Sequence, residues 1–392
     1  MKWEMVKLGD LCTIVRGSSP RPKGDSRYYG GKIPRLMIED ITRDGMYVTP
    51  RVDSLTEEGA KLSRPMKKGD MVITVSGRTG VPAILNVDAC IHDGFVGFRN
   101  LSNTIDKIFL YHYLESLTEI TSQQAVGAIF KNLTTEQLSN LRIPLPPLSV
   151  QKEIAEILDT ADALRKKDNE LLKKYDELAQ SIFIEMFGDP VRNEKGWEVK
   201  TIESVINKER PITYGILMPG PNIKPNGVPY IRVVDIKNNM ILEDQVYYTT
   251  KDIAAAYKRS TLKENDILYS IRGHVGRSCI VKPSMAGANI TQDTARLDFN
   301  DEIINEYALE YMKSDSFSRI VKPLVRGAAV KGLNLGDLKK LPIPIPDLKL
   351  QKKFRDKIAL VNEQKSALSM LTGCSNNLFH SLLQKAFKGE LT

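Results

Sequence analysis

The sequence predicts an α+β fold in duplicate, with two repeated globular domains and two long α-helices that pair as a coiled coil about an approximate internal twofold. Three observations carry that expectation. First, a block occurs twice at a shift of 200 residues. Its first copy runs Gly127-Ala-Ile-Phe-Lys131-Asn-Leu133, then Leu138, Leu141, Ile143-Pro144-Leu145-Pro146, Leu148 and Gln151-Lys152. Its second runs Gly327-Ala-Ala-Val-Lys331-Gly-Leu333, then Leu338, Leu341, Ile343-Pro344-Ile345-Pro346, Leu348 and Gln351-Lys352. Second, the register persists along the chain: Trp3-Glu4 matches Trp197-Glu198, Asp40-Ile41 matches Asp235-Ile236, Gly77 and Gly80 match Gly273 and Gly276, and Phe187 matches Phe387. A period near 200 is too long for a solenoid, so two whole domains are related. Third, a stretch of about 40 residues without proline and with a 3/4 apolar rhythm follows each copy of the block.

Residues 1–147 form the first domain. Short strand-like runs such as Met71-Val-Ile-Thr-Val75 precede one helix near 106–123, and strands followed by a helix read as α+β. Pro144, Pro146 and Pro147 force extended backbone and end the domain. A long helix then occupies 148–188, with Ile154, Ile157, Ala161, Leu164, Leu171, Tyr175, Leu178 and Ile182 as its seam. At 1.5 Å per residue it extends about 60 Å. The second domain, 189–347, repeats the pattern with the strand run Ile267-Leu-Tyr-Ser-Ile271 and one helix over 301–320. The second long helix, 348–392, carries Phe354, Ile358, Val361, Leu368, Leu371, Leu378 and Leu382, with Gly373 as a weak point. Residues 148–187 hold 6 basic and 9 acidic side chains whereas 348–387 hold 7 and 2, and these opposite signs favour pairing with each other.

Composition narrows the function. At 392 residues, 42% hydrophobic and 27% charged, the chain reads as soluble, globular and cytoplasmic, with no apolar run of the roughly 20 residues that span a bilayer. Cys12, Cys90, Cys279 and Cys374 are scattered, without disulfide or zinc spacing. A net charge of +8 permits a nucleic-acid partner without requiring one. Neither a Walker loop nor an adenine methyltransferase motif is present, and His92, His112, His274 and His380 have no mutual metal or nucleophile spacing.

Glycine and basic residues alternate in the loops: Arg16-Gly17-Ser18-Ser19-Pro20-Arg21, Ser76-Gly77-Arg78-Thr79-Gly80, Arg272-Gly273-His274-Val275-Gly276-Arg277 and Arg326-Gly327. Glycine lets backbone amides approach a phosphate, and arginine donates paired hydrogen bonds to phosphate or guanine. These loops, the opening Trp3-Glu4 segment, the Ile-Pro-x-Pro junction followed by Gln-Lys, and the closing Gln384-Lys-Ala-Phe387 occur as one ordered set. In that set the chain resembles the specificity (S) subunit of a type I DNA restriction-modification enzyme, over essentially its whole length.

The resemblance implies a non-catalytic subunit whose two target-recognition domains each read one half of a bipartite double-stranded DNA target. It implies that the helices run antiparallel and fix the spacer. Two methyltransferase subunits and two restriction/translocase subunits are the implied partners. S-adenosylmethionine, ATP and magnesium are implied to belong to them, with no cofactor or metal on this chain. By matched motif the expected DNA-binding residues are Arg16, Ser19, Arg21, Arg78, Lys131 and Asn132 in the first half. In the second they are Tyr214, Arg232, Arg272, His274, Arg277, Arg326, Lys331 and Asn334. Asp70 and Asp266 are expected to cap turns. Two rivals stand beside this reading. One is a protein-only scaffold, and the other a metal-dependent nuclease built on Asp189 with Glu198-x-Lys200.

Overall fold

The computed structural model describes residues 3–77, 79–123, 134–224, 226–327 and 330–391. They pack as two compact units, Met1–Asn169 with Leu371–Thr392, and Glu170–Met370. The long helices are Leu148–Phe187 and Leu348–Lys388, and each contributes one part to each unit.

In the first unit, five strands lie in the order Thr13–Arg16, Phe95–Arg99, Met71–Thr74, Pro82–Leu85, Tyr47–Val48. A second sheet orders Asp53–Leu55, Tyr29–Leu36, Ala89–Ile91, Arg64–Met66. Leu36, Val72, Leu85, Ile91 and Phe95 form a buried cluster from the strands of both sheets. The second unit repeats the plan with Thr213–Tyr214, Thr294–Leu297, Ile267–Ser270, Ser278–Ile280 in one sheet and Tyr247–Thr249, Val228–Ile231, Asn289–Ile290 in another. Ile231, Leu268, Cys279 and Ile290 form the matching cluster.

The duplicated block closes each unit. Met5–Lys7 pairs antiparallel with Arg142–Pro144, and Glu198–Thr201 pairs antiparallel with Pro342–Ile345. Prolines fit there because the ladder is only two strands wide, so a missing N–H can face away from its partner. The first unit's helix is Lys107–Gln123. In the second unit the single helix expected over 301–320 is two, Asn305–Lys313 and Asp315–Val321. Ser314 interrupts it with extended backbone, and its hydroxyl accepts from Phe317 N at 3.1 Å as an N-cap.

Within each unit the long-helix segments run antiparallel. In the first, the Arg165 guanidinium lies 3.9 Å over the Phe379 ring and Ser375 Oγ donates to Asp168 at 2.8 Å, so one segment ascends as the other descends. In the second, Lys365 donates to Asp176 at 2.5 Å, and the rings of Phe187 and Phe354 meet at 5.3 Å. Phe187 also meets Tyr307 at 4.8 Å, and Phe387 meets Phe109 at 5.3 Å, so the matched phenylalanines do one job in both copies. Ile154, Leu158, Ala161, Phe379, Leu383 and Ala386 are core residues of the first unit, and Ala179, Phe183, Phe354, Ile358 and Val361 of the second.

Part of the predicted seam is not buried. Leu164, Leu171 and Leu178 are 48%, 43% and 44% exposed, and Leu371 and Leu378 are exposed as well. A helix with a wide apolar stripe covers only the part that meets its neighbours, and these leucines fall outside it.

His112 is fully buried in the first unit, with Nδ1 3.1 Å from Glu115 and Nε2 2.8 Å from Asp159 on the long helix. Burial alone would lower the imidazole pKa. The hydrogen bonds and charges of Asp159 and Glu115 outweigh it, and the net shift is upward.

Candidate nucleic-acid interface

The second unit builds its candidate surface from two segments. Ser270 N donates to Arg277 O at 2.8 Å and Gly276 N to Ser270 O at 3.0 Å, closing the turn that carries Arg272 and His274. Arg326 N donates to Gly332 O at 2.9 Å and Gly332 N to Arg326 O at 2.8 Å, so these two residues pair with each other. Gly327 sits at φ +114°, where a side chain is strained and a Cβ would lie 2.1 Å from Val330 O. Gly273 N donates to Lys331 O at 2.8 Å and Leu333 N to Ile271 O at 2.7 Å, which ties the two segments together.

Two adjoining depressions result, and Gly327 lines both. One, of about 860 Å³, is lined by Tyr214, Leu217, Arg272, Arg326, Val330 and Asn334 among others. The other, of about 850 Å³, is lined by His274, Arg277, Lys313, Lys322 and Lys331 among others. Seven of the eight residues expected in this half therefore converge: Tyr214, Arg272, Arg326 and Asn334 on one depression, His274, Arg277 and Lys331 on the other.

Several of these side chains already serve the fold. Arg277 Nη1 donates to the carbonyls of Val233 at 3.0 Å and Ile236 at 3.2 Å. Asn334 caps Leu335–Lys340, accepting from Gly336 N at 2.7 Å. Arg232, the eighth, lines neither depression. It pairs with Asp235 at 2.7 Å and lies 3.5 Å over the Tyr247 ring. Arg272 is exposed, 3.4 Å from Gln292 Oε1 and 4.0 Å from Asp293. Lys313, Lys322 and Lys340 join the surface without having been singled out from the sequence. Their only signal was a basic residue on a helix end, which the surface of any helix shares.

In the first unit Arg16 ends its strand in an exposed position and Arg21 is exposed 3.9 Å from Asp93. Ser19 Oγ donates to Asp93 at 2.5 Å and accepts from Arg35 Nη2 at 2.9 Å. Arg35, nearly buried, also pairs with Asp53 at 2.5 Å. The Ser19 hydrogen bond holds the Asp93 carboxyl below its usual range against the burial that would raise it. Burial, with the Arg35 charge, pulls the His92 imidazole down. Arg35 and Asp93 were not read from the sequence, because neither stands in one of the glycine-arginine loops that mark the other candidates. Arg78, Lys131 and Asn132 lie outside the described residues.

Strand pairing equates the two halves beyond the sequence match. Arg16 and Tyr214 each precede a glycine packed against a crossing strand: a Cβ on Gly17 would lie 1.9 Å from His92 O, and one on Gly215 1.8 Å from Ile290 O. The shared backbone path therefore presents an arginine in one unit and a tyrosine in the other. Asp70 and Asp266 cap turns, accepting from Lys67 N at 2.8 Å and Lys263 N at 2.7 Å.

The nuclease constellation is divided between local networks. Asp189 accepts from Ser316 Oγ at 2.8 Å and Val191 N at 2.9 Å, while Lys200 pairs with Glu302 and lies 3.9 Å from Glu198. Among the described residues no three His, Cys, Asp or Glu side chains are grouped as metal ligands, and no helix is long and apolar enough to cross a membrane.

Comparison with known proteins bears on the whole chain. The family model for the type I restriction modification DNA specificity domain matches twice, over residues 1–174 and 194–365. The chain is 27% identical to the type I restriction enzyme EcoBI specificity subunit of Escherichia coli, over 99% of this chain and 80% of that one. It is 22% identical to the MjaVIII specificity subunit of Methanocaldococcus jannaschii, over 92% and 86%. The crystal structure of a type I restriction-modification S subunit from M. genitalium shares its fold at a TM-score of 0.52 and 16% identity, covering 99% of this chain and 96% of that one. With two family domains covering most of its length, the chain belongs to the specificity (S) subunits of type I restriction-modification systems.

Proposed function

We propose that this chain selects the DNA sequence on which a type I restriction-modification complex acts, each unit reading one half of a bipartite double-stranded target. The observation that carries the reading is the recurrence of one backbone path with a different side chain: Arg16 before Gly17 in one unit, Tyr214 before Gly215 in the other. A common framework with unequal contact residues is what two unequal half-sites require, since base identity is read by side chains and not by backbone.

The long helices then fix the spacer. At 40 and 41 residues each extends about 60 Å. Domains that read one face of a duplex need half-sites about 34–36 Å apart or a multiple of it. The exposed leucines Leu164, Leu171 and Leu178, seven residues apart, supply an apolar stripe for two methyltransferase subunits, and restriction/translocase subunits complete the complex. The chain itself catalyses nothing in this reading. S-adenosylmethionine, ATP and magnesium are assigned to the partners, and the complex works in the cytoplasm.

The test is a genome-wide map of methylated adenine in cells making this chain with its methyltransferase subunit, against cells making the methyltransferase alone. A bipartite motif with one fixed spacer, present only with this chain, is the expected result. An active methyltransferase whose methylation is unchanged by the chain would refute the proposal. A protein-only scaffold would instead give a complex with salt-insensitive, equal affinity for every duplex.

A further inference from the structure

The two adjoining depressions of the second unit differ in chemistry. Tyr214, Arg272 and Arg326 in the first stand beside the exposed apolar side chains Leu217 and Val330, with Asp337 and Lys340 also in its lining. Planar donors beside apolar walls suit base edges, which present hydrogen-bonding atoms and methyl groups in a fixed pattern.

The second depression gathers His274, Arg277 and three lysines beside apolar side chains such as Val275 and Val321, and no carboxylate lines it among the described residues. Two of those cations are already engaged, Arg277 by backbone carbonyls and Lys313 by Glu310 at 2.6 Å. Lys322, Lys331 and His274 line it and are exposed. An ammonium is a compact point charge that holds a phosphate without discriminating sequence.

We propose that the hydrogen-bonded pair Arg326 and Gly332 marks the division between two kinds of DNA contact in this unit. Lys322 and Lys331 hold a backbone phosphate on one side, and Arg272 and Arg326 read base edges on the other. The proposal rests on the DNA-reading function above and adds Lys322, which no motif marked.

The experiment uses the full chain assembled with its methyltransferase subunits. It measures affinity for the cognate duplex between 50 and 200 mM salt, together with the methylated motif in cells. Lys322→Ala is expected to reduce the slope of log affinity against log salt by about 0.9 while the motif stays the same. Arg326→Ala is expected to lower cognate affinity by about tenfold or more and to relax the motif within one half-site only. Both side chains are exposed, so each variant should melt with the wild type. An altered motif or an unchanged salt slope for Lys322→Ala overturns the partition, as does an intact motif for Arg326→Ala. A wild-type complex without sequence preference overturns the DNA-reading function itself, and this division with it.

Discussion

Replacing Gln351 by methionine should destabilise the second unit by about 3–5 kcal/mol, because one buried side chain satisfies three backbone groups. Its Oε1 accepts from Ile304 N at 2.8 Å, and its Nε2 donates to Glu302 O at 3.0 Å and Pro346 O at 2.8 Å. The side chain is wholly buried, so water has no ready access to replace those bonds. Methionine keeps the length and removes every bond, leaving one N–H and two carbonyls at about 1–3 kcal/mol each, with the carbonyls at the low end. Gln151 repeats the arrangement with Asp106 N, Thr104 O and Pro146 O at 2.7, 2.9 and 2.8 Å. Hydrogen exchange is the assay of choice, since a chain of two compact units need not unfold in one step and amide protection reports each locally. The Ile304 amide should lose protection in Gln351→Met and keep it in Gln151→Met. Lys352→Ala, one residue away and exposed, should stay within about 0.5 kcal/mol of wild type. A Gln351→Met protein within 1 kcal/mol of wild type, on the order of a single hydrogen bond, and with Ile304 still protected, would refute the reasoning.

The first unit should lose stability as pH rises. His112 has a folded pKa raised above its ordinary 6.5, so its contribution is complete below that value and disappears as pH climbs through the folded pKa. Thermal melts across that window should show the slope, and His112→Gln should flatten it; a wild-type profile without slope there would count against the buried contact. Gly215→Ala places a Cβ 1.8 Å from Ile290 O and should cost about 2 kcal/mol or more, whereas Gly373→Ala, in open space on a helix, should stabilise by about 1 kcal/mol. Denaturation midpoints of opposite sign check both. Leu171→Ser should cost only about 1–2 kcal/mol, since the side chain is half exposed, yet weaken co-purification of the methyltransferase subunit. Undiminished co-purification would remove Leu171 from that surface.

Much of the fold was legible because repetition multiplies weak signals. A single Ile-Pro-x-Pro stretch is ambiguous, but two copies 200 residues apart, each before a proline-free apolar rhythm, leave few architectures. The long helices appear where the rhythm placed them, and Asp70 and Asp266 cap turns as their positions before strands implied. The candidate site was less legible. Seven of eight residues in the second half converge, yet the sequence could not separate Arg326, which faces solvent, from Arg277, whose guanidinium is held by Val233 and Ile236. Both are arginines beside glycines in loops.

By itself the sequence determined the duplication, the α+β class and the two long helices, because these rest on periodicity and register, and its ordered motifs carried the resemblance to the family. Only the tertiary structure decided which apolar residues of the helix stripe are covered, that Ser314 breaks the second unit's helix in two, and that Gln151 and Gln351 each fasten a helix start to backbone far away in sequence. It also placed Lys322 and Lys331 in the lining of one depression and joined Arg35 to Ser19 and Asp53. Those outcomes depend on where a side chain points once distant segments meet. Burial and hydrogen-bond partnership are properties of that meeting, and residue type and spacing do not encode them.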